Sequence, residues 1–165
     1  MGRGKLFLNQ RNLVGIGGSS MRISTRGRYG LRAMVELALH FGQGPIPLKN
    51  IAARQEISDH YLEQLMGSLR KAGLIKSVRG AQGGYELAKA PPQISTGEII
   101  RVLEGPISPV ECLDEPGQPS CEKADHCPTR LLWERMHQRM NEVLDTTTLD
   151  DLRAEAQRLA TSPEF

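Results

Sequence analysis

Apolar positions recur with a helical period over most of the chain. In "STRGRYGLRAMVELALHFGQG", Leu31, Met34, Val35, Leu37, Ala38 and Phe41 share one face, which predicts a helix from near Thr25, with Gly42 as a fitting terminator. A second short helix is predicted in "PLKNIAARQ" and a third in "SDHYLEQLMGSLRKAG". Ser58 takes the N-cap position of the third, and Gly73 lies just past its end. On that helix Leu62, Leu65 and Leu69 face inward, which leaves Asp59, His60, Glu63 and Gln64 outward near the N-terminus. The pattern then changes. "LIKSVRG" and "GYELA" read as two short strands joined by the glycine-rich tip "GAQGG". "STGEIIRVLEG" opens with Ser95 and Glu98, a capping box before an apolar run. In "RLLWERMHQRMNEVLD", Leu132, Met136, Met140 and Val143 form one stripe on an otherwise charged helix, the mark of an interface. Thr148 can cap a last helix, "LDDLRAEAQRLA".

Two short helices, the tight turn "QEIS" and a hairpin follow the order of a winged helix-turn-helix. Ile57 in the turn would plug the space between the helices. The expected fold is therefore mainly α with a small β-hairpin: a winged helix-turn-helix DNA-binding domain over 21–105, a cysteine-rich loop over 106–128, and a long dimerisation helix with a C-terminal helix over 129–162. Residues 1–20 read as a flexible leader, a misassigned upstream start or an appended scar. Their short "LFL" is interrupted by Asn9, Gln10, Arg11 and Asn12, too early for a signal-peptide core. No run of 18 apolar residues exists, so no membrane span is expected, and the expected compartment is the cytoplasm.

Charge sharpens the picture. The net charge is +2, but residues 21–90 carry 11 Lys/Arg against 5 Asp/Glu, and residues 91–165 carry 7 against 14. A basic first half fits a polyanion partner, because Lys/Arg contacts to phosphates release counterions; a solvated surface is the blander alternative. The N-terminal end of a recognition helix meets base edges in the major groove. Gln64 could pair there with adenine, and Glu63 could accept from cytosine N4. They could equally be surface polar residues of a small helical domain. Arg79 stands at the base of the glycine-rich tip, where an arginine could enter a narrow minor groove. The tip is not a phosphate-binding loop, since Tyr85 and Glu86 open a strand where Lys and Ser/Thr would have to open a helix.

All three cysteines, Cys112, Cys121 and Cys127, fall in "ECLDEPGQPSCEKADHCPTR". An odd number argues against a closed disulfide framework. Isolated cysteines are usually small buried hydrophobes, but Asp, Glu, Pro and Gly surround these three, a poor core environment. Metal binding is the better reading, and three thiolates suit either an iron–sulfur cluster or zinc. No paired carboxylates, nucleophile elbow or cofactor loop appears, so an enzyme is not expected.

"MRISTRGRYGLRAMVELAL", "IAARQEISDHYLEQLMGSLRKAGLIKSVRGAQGGYEL", "GEIIRVLEGP" and the C-x8-C-x5-C loop before "LLWERM" together resemble the Rrf-two (BadM-like) family of bacterial transcription regulators. The resemblance runs from Met21 to about Leu152 and is nearest to the iron–sulfur cluster regulators of that family. It implies a homodimer on a pseudo-palindromic double-stranded DNA operator, joined through the long helix after the cysteine loop. It also implies DNA contacts from Arg28, Ser58, His60, Tyr61, Glu63, Gln64 and Arg79. His60 stands where relatives commonly have a small hydroxyl residue. The resemblance favours a [2Fe–2S] cluster on Cys112, Cys121 and Cys127. Its usual fourth ligand, a histidine three residues after the third cysteine, is replaced by Arg130; the carboxylate that other relatives borrow from the partner's first helix is replaced by Arg28. A guanidinium offers no lone pair to a metal. His126 is the nearest imidazole, with Glu122, Asp125, a small thiol or water as other donors. Two further readings stay open: a repressor of cysteine metabolism acting through a protein partner, which needs no cysteine triad, and a zinc-stabilised module on Cys112, Cys121, Cys127 and His126.

Overall fold

A computed structural model describes residues 22–113, 121 and 126–161. Residues 1–20 lie outside them, and with them the expected leader. Helix α1 runs over Thr25–Leu39, and its N-cap Ser24 accepts a hydrogen bond from the Arg26 N–H at 3.0 Å. Helices α2 (Leu48–Gln55) and α3 (Asp59–Lys71) follow. The Ser58 hydroxyl caps α3 by accepting from the Tyr61 N–H at 3.2 Å, and Gly73 ends it at φ 73°. Strands β1 (Ile75–Val78) and β2 (Gly84–Leu87) pair antiparallel, Ile75 opposite Leu87 and Val78 opposite Gly84. Helix α4 (Thr96–Glu104) carries both halves of its capping box: the Glu98 N–H donates to Ser95 Oγ at 3.1 Å, and the Ser95 N–H to Glu98 Oε2 at 2.9 Å. Helices α5 (Arg130–Thr146) and α6 (Leu149–Thr161) complete the chain, α6 capped by the Thr148 hydroxyl, which accepts from the Asp151 N–H at 3.2 Å.

The core gathers around α1. Met34 and Leu37 meet Ile51 of α2, Leu62, Leu65, Met66 and Leu69 of α3, Ile75 and Leu87 of the hairpin, and Ile99 and Leu103 of α4. Leu149, at the start of α6, is fully buried in the same core, so the C-terminal helix returns to pack on α1. Ile57 packs against this core as the turn predicts. Phe41 does not: it is 44% exposed. Helix α1 stops at Leu39, so the backbone leaves the helical path before residue 41 and the side chain no longer shares the apolar face.

Two glycines set the α1–α4 distance. A Cβ on Gly27 would lie 2.6 Å from Glu104 Oε1, and one on Gly30 would lie 2.3 Å from Leu103 Cδ1. The hairpin is anchored at its root: Ile46 and Tyr85 exchange both backbone hydrogen bonds, each 2.9 Å. A Cβ on Gly84 would strike the Ile46 carbonyl at 2.2 Å, so that glycine is required by the hairpin's own docking.

Helix α5 buries no residue. It is held at its C-terminal end, where Thr96 Oγ1 donates to the Leu144 carbonyl at 2.8 Å and Arg101 bonds both Asp145 oxygens (2.6 and 3.0 Å) and Asn141 Oδ1 (2.6 Å). Leu131, Leu132 and Val143 remain exposed on it.

Candidate nucleic-acid interface

The helix-turn-helix is closed by one unusual residue. Glu56, which caps α2, adopts φ 54° and ψ 41°, the only positive φ at a non-glycine position among the described residues. This left-handed residue ends α2, and α3 begins three residues later at Asp59. Leu62, Leu65 and Leu69 are fully buried, which turns Asp59, His60, Glu63 and Gln64 to solvent, as the sequence predicts. Gln64 Nε2 and His60 Nε2 lie 3.2 Å apart, one helical turn from each other. Both side chains can therefore be presented together to a groove.

The other sequence-predicted contacts fall into two groups. Arg79 is exposed directly after β1, and Gly80 beyond it takes φ 117° with open space around its Cα. Arg28 is exposed on α1 and lines a cleft with Arg22, Ile23, Ser24 and Thr25. Ser58 and Tyr61 carry structural duties. The Ser58 hydroxyl caps α3, and the Tyr61 ring meets Tyr29 edge-on, with centroids 6.4 Å apart and planes at 88°. Arg32 lies over that Tyr29 ring at 5.7 Å.

The sequence does not announce the polar contacts that hold these elements. Glu104 of α4 accepts from Ser24 Oγ at 2.5 Å and from the Gly27 N–H at 2.6 Å, placing a carboxylate on the positive end of α1. Arg26 reaches from that turn to Ser68 Oγ of α3 at 2.9 Å. Glu36, 7% exposed, is paired with Arg54 of α2 and lies 3.3 Å from His40 Nδ1. Gly27 and Gly30, three apart on one helix face, were the available signal that another helix comes close there.

The thiols lie at and near α5. Cys112 is half-buried in a short turn, Glu111–Leu113, that packs on α5. Leu113 lines a cleft there with Pro106, Ile107, His137 and Asn141. Cys121 and His126 are exposed. Cys127 Sγ lies 3.2 Å from Thr129 Oγ1, which also accepts from Trp133 Nε1 at 3.2 Å. Hydrogen bonds from the Thr129 hydroxyl and backbone hold the Cys127 thiol below its ordinary range. Arg130 pairs with Glu134 at 2.7 Å. Among the described residues no three Cys, His, Asp or Glu side chains converge to hold a metal ion. Glu122 and Asp125 lie outside the described residues. Three thiols suit an iron–sulfur cluster chemically. Also among the described residues, no helix is long and apolar enough to cross a membrane.

Two short helices joined by a tight turn, the second with a free polar face, followed by a two-stranded wing, define a winged helix-turn-helix DNA-binding protein. Residues 23–155 match the Rrf2 family, described as iron-dependent transcriptional regulators, and the chain belongs to that family. It is a DNA-binding transcription regulator and not an enzyme. It is 54% identical over 132 residues to the HTH-type transcriptional regulator CymR of Bacillus subtilis, covering 80% of this chain and 89% of CymR. The solved structure of B. subtilis CymR, the global cysteine regulator, superposes with a TM-score of 0.69 at 52% identity, covering 81% of this chain and 97% of that one. That of T. potens IscR gives the same TM-score at 45% identity, covering 90% and 97%. The sequence expectation of a nearer likeness to iron–sulfur cluster regulators is thus corrected: identity is higher to the cysteine regulator.

Proposed function

We propose that this chain regulates genes of cysteine and sulfur supply by binding a pseudo-palindromic operator as a homodimer. The reading is carried by the outward face of α3, His60, Glu63 and Gln64, on a frame more than half identical to a global cysteine regulator. In each protomer α3 would enter the major groove, Gln64 and Glu63 reading base edges, while Arg79 reaches the adjacent minor groove. Arg28 and the Ser58 turn would position the head on phosphates. Helix α5, with its exposed Leu131, Leu132 and Val143, would join the two protomers and so set the half-site spacing. Sequencing of DNA recovered with the protein from cells tests this. Paired inverted half-sites upstream of sulfur-uptake and cysteine-synthesis genes are expected. Recovery of unrelated loci with no common inverted repeat would overturn it.

A second reading concerns the signal. We infer from three thiols in one polar loop, and from the family's description as iron-dependent, that Cys112, Cys121 and Cys127 can hold an iron–sulfur cluster once the loop gathers them. Arg130 contributes no ligand, and His126 is the nearest imidazole to complete the set. Iron counting and visible absorbance on anaerobically prepared protein test this. A brown protein bleached by each single Cys→Ala supports the reading, whereas a colourless protein with stoichiometric zinc refutes it and points to the zinc-stabilised alternative.

A further inference from the structure

The recognition helix is tied to the rest of the molecule by a chain of polar contacts that none of the DNA-facing residues explains. Arg101 and Glu104 lie three residues apart on α4. Arg101 grips α5 through Asp145 and Asn141. Glu104 grips the first turn of α1 through Ser24 Oγ and the Gly27 N–H. Arg26 hangs from that same turn: its N–H donates to Ser24 Oγ, and its Nη2 donates to Ser68 Oγ of α3 at 2.9 Å. Ser68 in turn donates to the Gln64 carbonyl at 3.3 Å, and the Gln64 side chain lies against His60 on the reading face. Residue 27 has no room for a side chain, because a Cβ would meet Glu104 Oε1 at 2.6 Å and Ile23 Cγ2 at 2.8 Å. The Glu104 clamp therefore holds the α1 turn at one distance from α4.

We propose that Glu104, Arg26 and Ser68 are positioning residues for DNA reading: they fix the placement of α3 on α1 from α4, without touching DNA. Apolar packing of Leu62, Leu65 and Leu69 places α3 on the core, but it carries no directional restraint on the polar face. A directional bond from a guanidinium to Ser68 restrains that freedom. Base readout needs side chains held to a fraction of an ångström, so a small shift of α3 removes specific binding while leaving phosphate attraction in place. The same α4 helix carries the Arg101 grip on α5, so a change in how α5 is held would reach α3 through one rigid element.

The test compares specific operator affinity with affinity for unrelated duplex of equal length, at matched salt, on the full chain. Ser68→Ala is expected to lower specific affinity about ten-fold with unrelated-duplex affinity unchanged, a split that a purely structural loss of the bond would not give. Ser68→Thr, which keeps the hydroxyl, is expected to restore it. Glu104→Gln should lower specific affinity likewise, and the Glu104→Gln, Ser68→Ala double variant should lose no more than the worse single one, because both break the same chain. Strictly additive losses would overturn the proposal. So would a parallel fall in unrelated-duplex affinity with a shallower salt slope for Arg26→Ala, which would make Arg26 a phosphate contact and not a positioning residue.

Discussion

Gly30 and Gly67 both sit inside helices, and the same change to alanine should move stability in opposite directions. At position 30 an added Cβ would lie 2.3 Å from Leu103 Cδ1 and 3.4 Å from Leu103 Cδ2 and Cγ. Leu103 is 5% exposed, so it cannot swing into solvent to make room. Forcing one carbon into such a contact costs about 1–3 kcal/mol. Replacing a mid-helix glycine by alanine returns about 0.5–1 kcal/mol, so the net loss is about 1–2 kcal/mol. At position 67, on α3, a Cβ meets nothing within 4 Å, and only the gain of about 0.5–1 kcal/mol remains. For a chain of this length each kcal/mol moves the melting temperature by about 2–4 °C. Gly30→Ala should therefore melt about 2–8 °C lower than the parent and Gly67→Ala about 1–4 °C higher, followed by circular dichroism at one fixed protomer concentration. A Gly30→Ala protein as stable as Gly67→Ala would refute the close α1–α4 approach and the placement of Leu103 against α1.

Three further outcomes follow from the same contacts. Met136→Asp with Met140→Asp should give monomers in sedimentation, because no residue of α5 is fully buried and Leu132 and Val143 of its stripe stay exposed, so the stripe needs a partner; a dimeric variant would move the interface elsewhere. Glu56→Gly should stabilise the fold by about 0.5–1 kcal/mol, since an L side chain at positive φ costs about 1–2 kcal/mol and glycine gives part of that back as unfolded-state entropy; a destabilised variant would contradict the left-handed turn. Hydrogen bonding and charge from Arg101 hold the Asp145 carboxyl below its ordinary value, so its contribution is present above the ordinary carboxylate range and is lost as pH falls through the lowered folded value. Asp145→Asn should therefore be less stable than the parent at neutral pH and lose less of its stability on acidification, as read from urea midpoints at several pH values.

The head was legible because its elements are encoded locally. Ser58 and Ser95 cap the helices their side chains predict, Gly73 ends α3, and the Leu62, Leu65, Leu69 spacing fixes which face of α3 turns outward. Phe41 misled because periodicity does not mark where a helix stops. The contacts that hold the head together were not legible. Glu104 to Gly27, Arg26 to Ser68 and Glu36 to Arg54 join residues far apart in sequence, and a charged side chain that will be half-buried looks like any surface charge until the chain is folded. The family was legible but its nearer branch was not: identity to the cysteine regulator is higher than to the iron–sulfur cluster regulators. Thiol number and spacing state which donors exist, not whether a loop brings them together.

Operator binding at fixed salt by the parent, Gln64→Ala and Arg79→Ala proteins, measured on the recovered operator and on single-base variants of it, tests the central claim most directly. The account predicts that Gln64→Ala loses discrimination at one base pair per half-site, by about 1–3 kcal/mol, and that Arg79→Ala loses affinity chiefly where the flanking minor groove is narrow. Equal binding by all three proteins across every variant would contradict the reading of α3 and the wing as the DNA-recognising surface.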